Sequence, residues 1–179
     1  MRGALYQAID REALSHLVQP GWSLLPPGDR LYEAAKDGFR GYPYDPARAK
    51  GILVEFGWAP GPVGVLRNSA DGRRFRNTIS TVATGRLWEV AVCADYWRRI
   101  GLEVEEGQVP AAQSRNLEYR AHYPSWEATS AGQGDGILSR VQGPAASAEN
   151  RWAGNRGGYE EPAAQQLLAR SYSSLTDAE

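Results

Sequence analysis

Residues 75–105 read FRNTISTVATGRLWEVAVCADYWRRIGLEVE, and this stretch decides the fold class. Phe75 to Ala83 is rich in Thr, Ile and Val, which suit a pleated, half-buried surface, so a strand is expected there. Leu87, Val90, Ala91, Ala94 and Trp97 recur at helical spacing, and Gly101 ends that helix. Leu102 to Glu105 alternates apolar with acidic residues, the mark of a second short strand. Strand, helix and strand in this order make a βαβ unit, which implies a parallel pair within an α/β layer. Asp71-Gly72 supplies the turn that leads into the first strand.

Towards the N-terminus, Asp45 is a natural N-cap and Pro46 suits the first helical position, where no backbone donor is needed. Ala49, Ile52, Leu53 and Phe56 form the apolar stripe of that helix. Gly57 takes the left-handed position after it, and Trp58 folds back onto its last turn. Leu25 to Asp45, rich in Pro, Gly and Tyr, reads as an ordered loop. Arg2 to Val18 reads as an amphipathic helix with Leu5, Ala8, Ile9, Ala13 and Leu17 on one stripe, stopped by Gln19-Pro20-Gly21.

Towards the C-terminus, Glu118 to His122 is a candidate third strand. From Pro124 to Pro162 small residues, glycine and proline dominate, so the stretch is either disordered or a functional loop. Trp126, Trp152 and Tyr159 favour the loop, since disordered segments are poor in aromatics. Pro162 opens a last helix carrying Leu167, Leu168 and Tyr172. Thr176-Asp-Ala-Glu179 fits a capping box announcing a further helix, and Arg2 already stands inside one. Both ends are therefore expected to be cuts within a longer protein.

The bulk numbers narrow the function. At 179 residues and 42% hydrophobic, the chain can bury one core, so residues 1–179 are expected to form a single domain. A net charge of −1 leaves no electrostatic footprint for nucleic acid or an anionic membrane. No apolar run approaches the roughly 18 residues of a membrane span. One cysteine excludes an internal disulfide, and with two histidines it argues against a structural zinc site. No cofactor is expected. Six tryptophans and nine tyrosines lean towards a binding surface.

Four segments, in order, resemble the family 5 extracellular solute-binding proteins, the dipeptide-, oligopeptide- and nickel-binding group. Arg2-Gly-Ala-Leu-Tyr-Gln-Ala-Ile-Asp-Arg11 is similar to that family's R-x-A-L-x-x-A-I-D-R helix. Tyr44-Asp-Pro-Ala-Arg-Ala-Lys50, ending in Phe56-Gly-Trp58, resembles its Y-D-P-x-x-A-K block. Asp71-Gly-Arg-Arg-Phe75 with Trp97 to Val104 resembles D-G-x-x-F followed by L-x-x-I-G-I-x-V. Gly157-Gly-Tyr159 through Pro162 and Leu167-Leu168 resembles G-Y-S-N-P-x-x-D-x-L. Glu160-Glu161 replaces the usual Ser-Asn, and Gln165 or Gln166 stands where the family has Asp. The family's cleft segment survives only loosely as Tyr119 to Asp135.

The resemblance implies one lobe of a periplasmic-binding-protein type II fold, with a small mixed sheet flanked by helices. This chain would be the C-terminal lobe of a two-lobe parent. The missing parts then explain why neither a signal peptide nor a lipid-anchor cysteine precedes the first helix. Its function would be to capture peptides or similar small solutes outside the cytoplasmic membrane, periplasmic or at the cell surface, for the membrane permease of an ABC importer. No catalytic role follows from it.

Capture between lobes needs aromatic faces, donors and an occasional charge on an ordered loop. The stretch from Tyr123 to Asp135 is the best candidate. Trp126 falls where the family's cleft tryptophan lies, and would stack on ligand unless it is packed in the core. Asp135 would pair with a ligand ammonium, Arg140 and Arg151 with a carboxylate, and Thr129 and Ser130 with a ligand backbone. Two alternatives stand beside the transport reading. A hydrolase would use His122 with Ser125 and Asp135, although no Gly-x-Ser-x-Gly elbow exists. A stand-alone interaction module would use exposed aromatics. Gly132-Gln-Gly-Asp-Gly136 lacks the strand, helix and lysine of a phosphate loop. Asp10-Arg11-Glu12 belongs on a helix's polar face, His16 is structural or exposed, and Cys93 is a small semi-buried residue.

Overall fold

The parallel pair expected from residues 75–105 is present in the computed structural model, which describes residues 1–15, 27–39, 41–82, 84–123, 126–129 and 140–173, the side chains of 31, 171 and 172 aside. Along the chain run α1 (Arg2–Gln7), α2 (Arg30–Ala35), α3 (Pro46–Glu55), β1 (Trp58–Pro60), β2 (Leu66–Asn68), β3 (Arg76–Thr81), α4 (Leu87–Arg99), β4 (Glu103–Gln108), α5 (Leu117–His122), β5 (Trp126–Glu127) and α6 (Pro162–Ser173). Single 3-10 turns lie at Lys36–Gly38, Thr84–Arg86, Ala111–Gln113 and Ala148–Asn150. β3 is the central strand of the order β4-β3-β5. It runs parallel to β4 from Arg76↔Glu103 to Thr81↔Gln108, and parallel to β5 at Ile79↔Trp126. β1 and β2 form a separate antiparallel pair.

The contacts divide the chain into two compact units. The first comprises Met1–Trp22, Asp37–Ala111 and Pro124–Thr129; the second comprises Ser23–Lys36, Ala112–Tyr123 and Ser130–Glu179.

In the first unit the core gathers Leu5 and Ala8, Ala49 and Leu53 of α3, Ile79 of β3, Val90, Ala94 and Trp97 of α4, and Val104 of β4. Asp45 caps α3 as its sequence requires, its Oδ1 accepting the Arg48 N–H at 2.7 Å. Phe56 leaves the expected stripe and is exposed. It is the C-cap of α3, at ψ 14°, so the helical register ends before it. Trp58 stacks on Phe75 with centroids 4.4 Å apart. Leu87, at the first position of α4, is likewise exposed.

The first helix is shorter than its periodicity suggests. α1 ends at Gln7, and residues 11–15 form turns. Asp10 is the physical reason, because its Oδ1 accepts the Ala13 N–H at 2.9 Å and offers the backbone a local alternative to the helix. Asp10-Arg11-Glu12 therefore sits beyond the helix, not on its polar face. Leu17 and His16 fall outside the described residues.

In the second unit, part of the segment read as a loop is helical: α2 occupies residues 30–35. The candidate strand at Glu118–His122 is also helix. Asn116 Oδ1 accepts the Tyr119 N–H at 3.0 Å and caps α5, while the segment carries no β-branched residue to favour extension. The third strand is instead Trp126–Glu127 of the first unit. α6 begins at Pro162 as expected, but Leu167 is exposed. Ala164, Gln165 and Leu168 form its half-buried stripe. Thr176–Glu179 lies outside the described residues.

Two glycines test this packing. Gly101 has φ +98°, and a Cβ there would meet Gly64 O and Leu66 Cγ, each at 2.9 Å; Gly57 has φ +81° with open space around it. Gly57→Ala should cost only the left-handed backbone penalty, about 1–2 kcal/mol. Gly101→Ala should cost at least about 1 kcal/mol more, because the overpacking adds to it. Urea denaturation midpoints of the two variants check the ranking.

Candidate functional site

In open α/β sheets ligands sit outside the carboxyl ends of the strands, where the strand order reverses. Here that point is the end of β3, flanked by β4, its successor, and β5, which returns on the other side. Both neighbours are pinned there. Ser80 O accepts the Ala128 N–H at 2.8 Å, and Thr81 O accepts the Val109 N–H at 2.9 Å. Ser80 and Thr81 are fully buried, so this rim is a fixed edge. The chain then enters α4 through Thr84–Arg86, which directs the amino end of α4 towards the same rim. Arg86 closes over that first turn with its Nη1 at 2.7 and 2.9 Å from the two Glu89 carboxylate oxygens.

The residues proposed from sequence fall in both units. In the first, Trp126 and Thr129 lie at and just beyond β5. Register with Ile79 puts Trp126 on the face covered by α4, where its ring meets Trp97 edge-on at 5.8 Å. Trp126 is thus half-buried against the core, while Thr129 is exposed at the rim. In the second unit, Tyr123 packs on Tyr119 at 5.4 Å, and Arg140 and Arg151 are exposed. Contact of His122 with Trp152, centroids 4.4 Å apart, ties the segment carrying Tyr123 to the one carrying Arg151. Ser130 and Asp135 lie outside the described residues, as do Ser125 and residues 132–136.

The described part of the 124–162 stretch is ordered, but amides hold it more than aromatics do. Asn155, fully buried, donates from Nδ2 to Gly143 O (3.1 Å) and Tyr159 O (2.8 Å), and its Oδ1 accepts the Tyr159 N–H (2.9 Å). Gln165 reaches back from α6: its Oε1 accepts the Gly143 N–H at 2.8 Å, and its Nε2 donates to Val141 O at 2.7 Å and Tyr159 O at 3.0 Å. A carboxylate could not donate to those two carbonyls, so an amide suits this position. Neither residue was expected to do this. Gln165 registered only as a departure from a family pattern, and Asn155 is one polar residue in a glycine-rich run.

The groups that could have signalled chemistry are otherwise occupied. His122 Nδ1 lies 3.0 Å from Glu118 O, one helical turn back, and its ring rests on Trp152. Burial, reinforced by Glu89 and opposed by Arg11, pushes the Cys93 thiol up to about 11, so it stays protonated and unreactive at neutral pH. Among the described residues no three His, Cys, Asp or Glu side chains converge as a metal site. A groove of about 670 Å³ opens elsewhere in the first unit, lined among others by Lys50, Val54, Val63, Arg99 and Gly101. It borders the amino end of β4, away from the carboxyl-end rim.

Fold and rim together describe an α/β unit of the class whose strand ends are the usual place for a ligand. The chain belongs to the bacterial extracellular solute-binding proteins, family 5, whose middle-region model matches residues 1–151. It is similar to the oligopeptide-binding protein of Thermus thermophilus complexed with a pentapeptide, at 22% identity and TM-score 0.79, covering 99% of this chain and 33% of that one. NikZ of Campylobacter jejuni in complex with Ni(L-His) matches at 22% identity and TM-score 0.75, covering 99% of this chain and 36% of that one. A periplasmic oligopeptide-binding protein of Thermotoga maritima bound to mannohexaose gives the same identity, TM-score and coverage. The type II periplasmic-binding-protein fold expected from the sequence is therefore present. The chain spans about a third of the length of these solved relatives. No curated protein matches it.

Two measurements bear on the site's scaffold. Asn155→Ala strips partners from Gly143 O, Tyr159 O and the Tyr159 N–H, and should cost about 2–4 kcal/mol in chemical denaturation. Cys93 binds its proton more tightly folded, at about 11, than at the ordinary 9.0. Its contribution is thus complete below pH 9 and lost as pH rises from 9 to 11. Thermal melts across that window should fall more steeply for the native protein than for Cys93→Ala.

Proposed function

We propose that the chain is the C-terminal lobe of a two-lobe receptor that captures peptides or similar small solutes and delivers them to the permease of an ABC importer. The whole of residues 1–179 acts in this reading as one lobe, in a parent located in the periplasm or at the cell surface. The family match over residues 1–151 carries the proposal. Order reversal at β3 supports it, because it supplies a pinned rim with the exposed Thr129 beside it. Ligand contacts are assigned to Tyr123, Trp126, Thr129, Ser130, Asp135, Arg140 and Arg151. The solved relatives hold a pentapeptide, a nickel–histidine complex and an oligosaccharide, so all three classes are candidate cargo.

The family is one of binding proteins, and no helix among the described residues is long and apolar enough to cross a membrane. A receptor should return its ligand chemically unchanged. Titrating the full-length protein with short peptides, Ni(L-His) and manno-oligosaccharides should reveal a class that stabilises it by about 2.7 kcal/mol at a hundredfold excess over Kd. Mass spectrometry should recover that ligand intact. No stabilisation by any class, or turnover of the bound one, would sink the proposal.

A further inference from the structure

Among the described residues, Arg151 and Trp152 alone hold a left-handed backbone without being glycine, at φ 55° and 59°. A β-carbon is disfavoured in that region, and such residues persist only where their surroundings over-determine them. The surroundings here do so. The Arg151 N–H donates to Ala148 O (3.2 Å), the Trp152 N–H to Ser147 O (2.8 Å) and the Ala153 N–H to Asn150 O (3.1 Å). Asn150 braces the turn from inside, its Oδ1 accepting the Ser147 N–H at 2.8 Å and its Nδ2 donating to Ala145 O at 2.9 Å.

These bonds explain the turn but not the arginine. Each one that residue 151 makes uses backbone atoms, so glycine would make it with no β-carbon to accommodate. Trp152 has a separate reason to be present, since its ring packs on His122. The Arg151 side chain is exposed and has no hydrogen-bond or ion-pair partner among the described residues. Several other arginines are engaged: Arg74 and Arg76 meet Glu103, Arg86 meets Glu89, and Arg98 meets Glu106. The fold thus tolerates an unfavourable backbone while holding an unspent guanidinium on a braced turn.

We propose that Arg151 is a pre-organised receptor for a ligand carboxylate, and that it makes the protein select solutes bearing one. A guanidinium presents a planar fork of donors that matches a carboxylate two-on-two, and a fixed turn lowers the ordering cost on binding. This rests on the reading of the chain as part of a solute receptor.

The test uses a random pentapeptide pool, prepared as free acids and as C-terminal amides, against the full-length protein and its Arg151→Gly and Arg151→Lys variants. The native protein should bind the acids at least about tenfold more tightly than the amides, as expected for a charge-assisted pair. Arg151→Gly should erase that preference and raise the ligand-free melting temperature by relieving the backbone. Arg151→Lys, with its charge but no fork, should keep an intermediate preference. If acids and amides bind the native protein equally, or Arg151→Gly retains the preference, the assignment is overturned while solute capture stands. If neither pool binds the native protein, the carboxylate assignment falls together with peptide capture.

Discussion

The first unit depends on the indole of Trp97. Its Nε1 donates to Leu5 O at 3.1 Å across 92 residues of sequence, while its ring meets Trp126 edge-on. A buried indole N–H must find an acceptor or bear its desolvation. Leu5 O meets the indole without competition from Ile9, which a longer helix would bond to Leu5 but which donates instead to Tyr6 O. One bond thus joins α1 to α4, and the same ring secures β5. The Trp97 carbonyl also accepts the N–H groups of Ile100 and Leu102, so the turn into β4 starts from the same residue.

That dependence shows where a sequence reading succeeds and where it stops. The βαβ unit was legible because each of its signals is local: the Thr- and Ile-bearing strand, the stripe from Val90 to Trp97, and Gly101 at its end. The cap at Asp45 was legible for the same reason. The end of α1 was not, because periodicity continues through Ala13 while Asp10 Oδ1 redirects the backbone towards a turn. α5 was misread because Glu118 to His122 alternates in polarity; the Asn116 cap, one residue outside the helix, decides the matter.

The candidate site divides along similar lines. Its place at the strand ends follows from strand order, which no periodicity states. Trp126 could be identified as important but not assigned a direction, since only its register with Ile79 turns it towards α4. The amide clasp of Asn155 and Gln165 was hidden most fully. Its partners are carbonyls and N–H groups of a non-repetitive loop, and such partners leave no spacing in a sequence. Arg151 was recognisable as a free donor fork, whereas the left-handed turn that holds it was not.

The first unit is assembled from three separated stretches, with β5 arriving only after residues 112–123 have been assigned elsewhere. This has a kinetic meaning. β3, α4 and β4 are close in sequence and can form while the chain is still emerging, but one edge of β3 then lacks its partner. An unpaired edge of a half-built sheet can template the wrong strand. That edge stays open in a chain that has reached β4 but not β5, and pairing of Ser80 with Ala128 closes it.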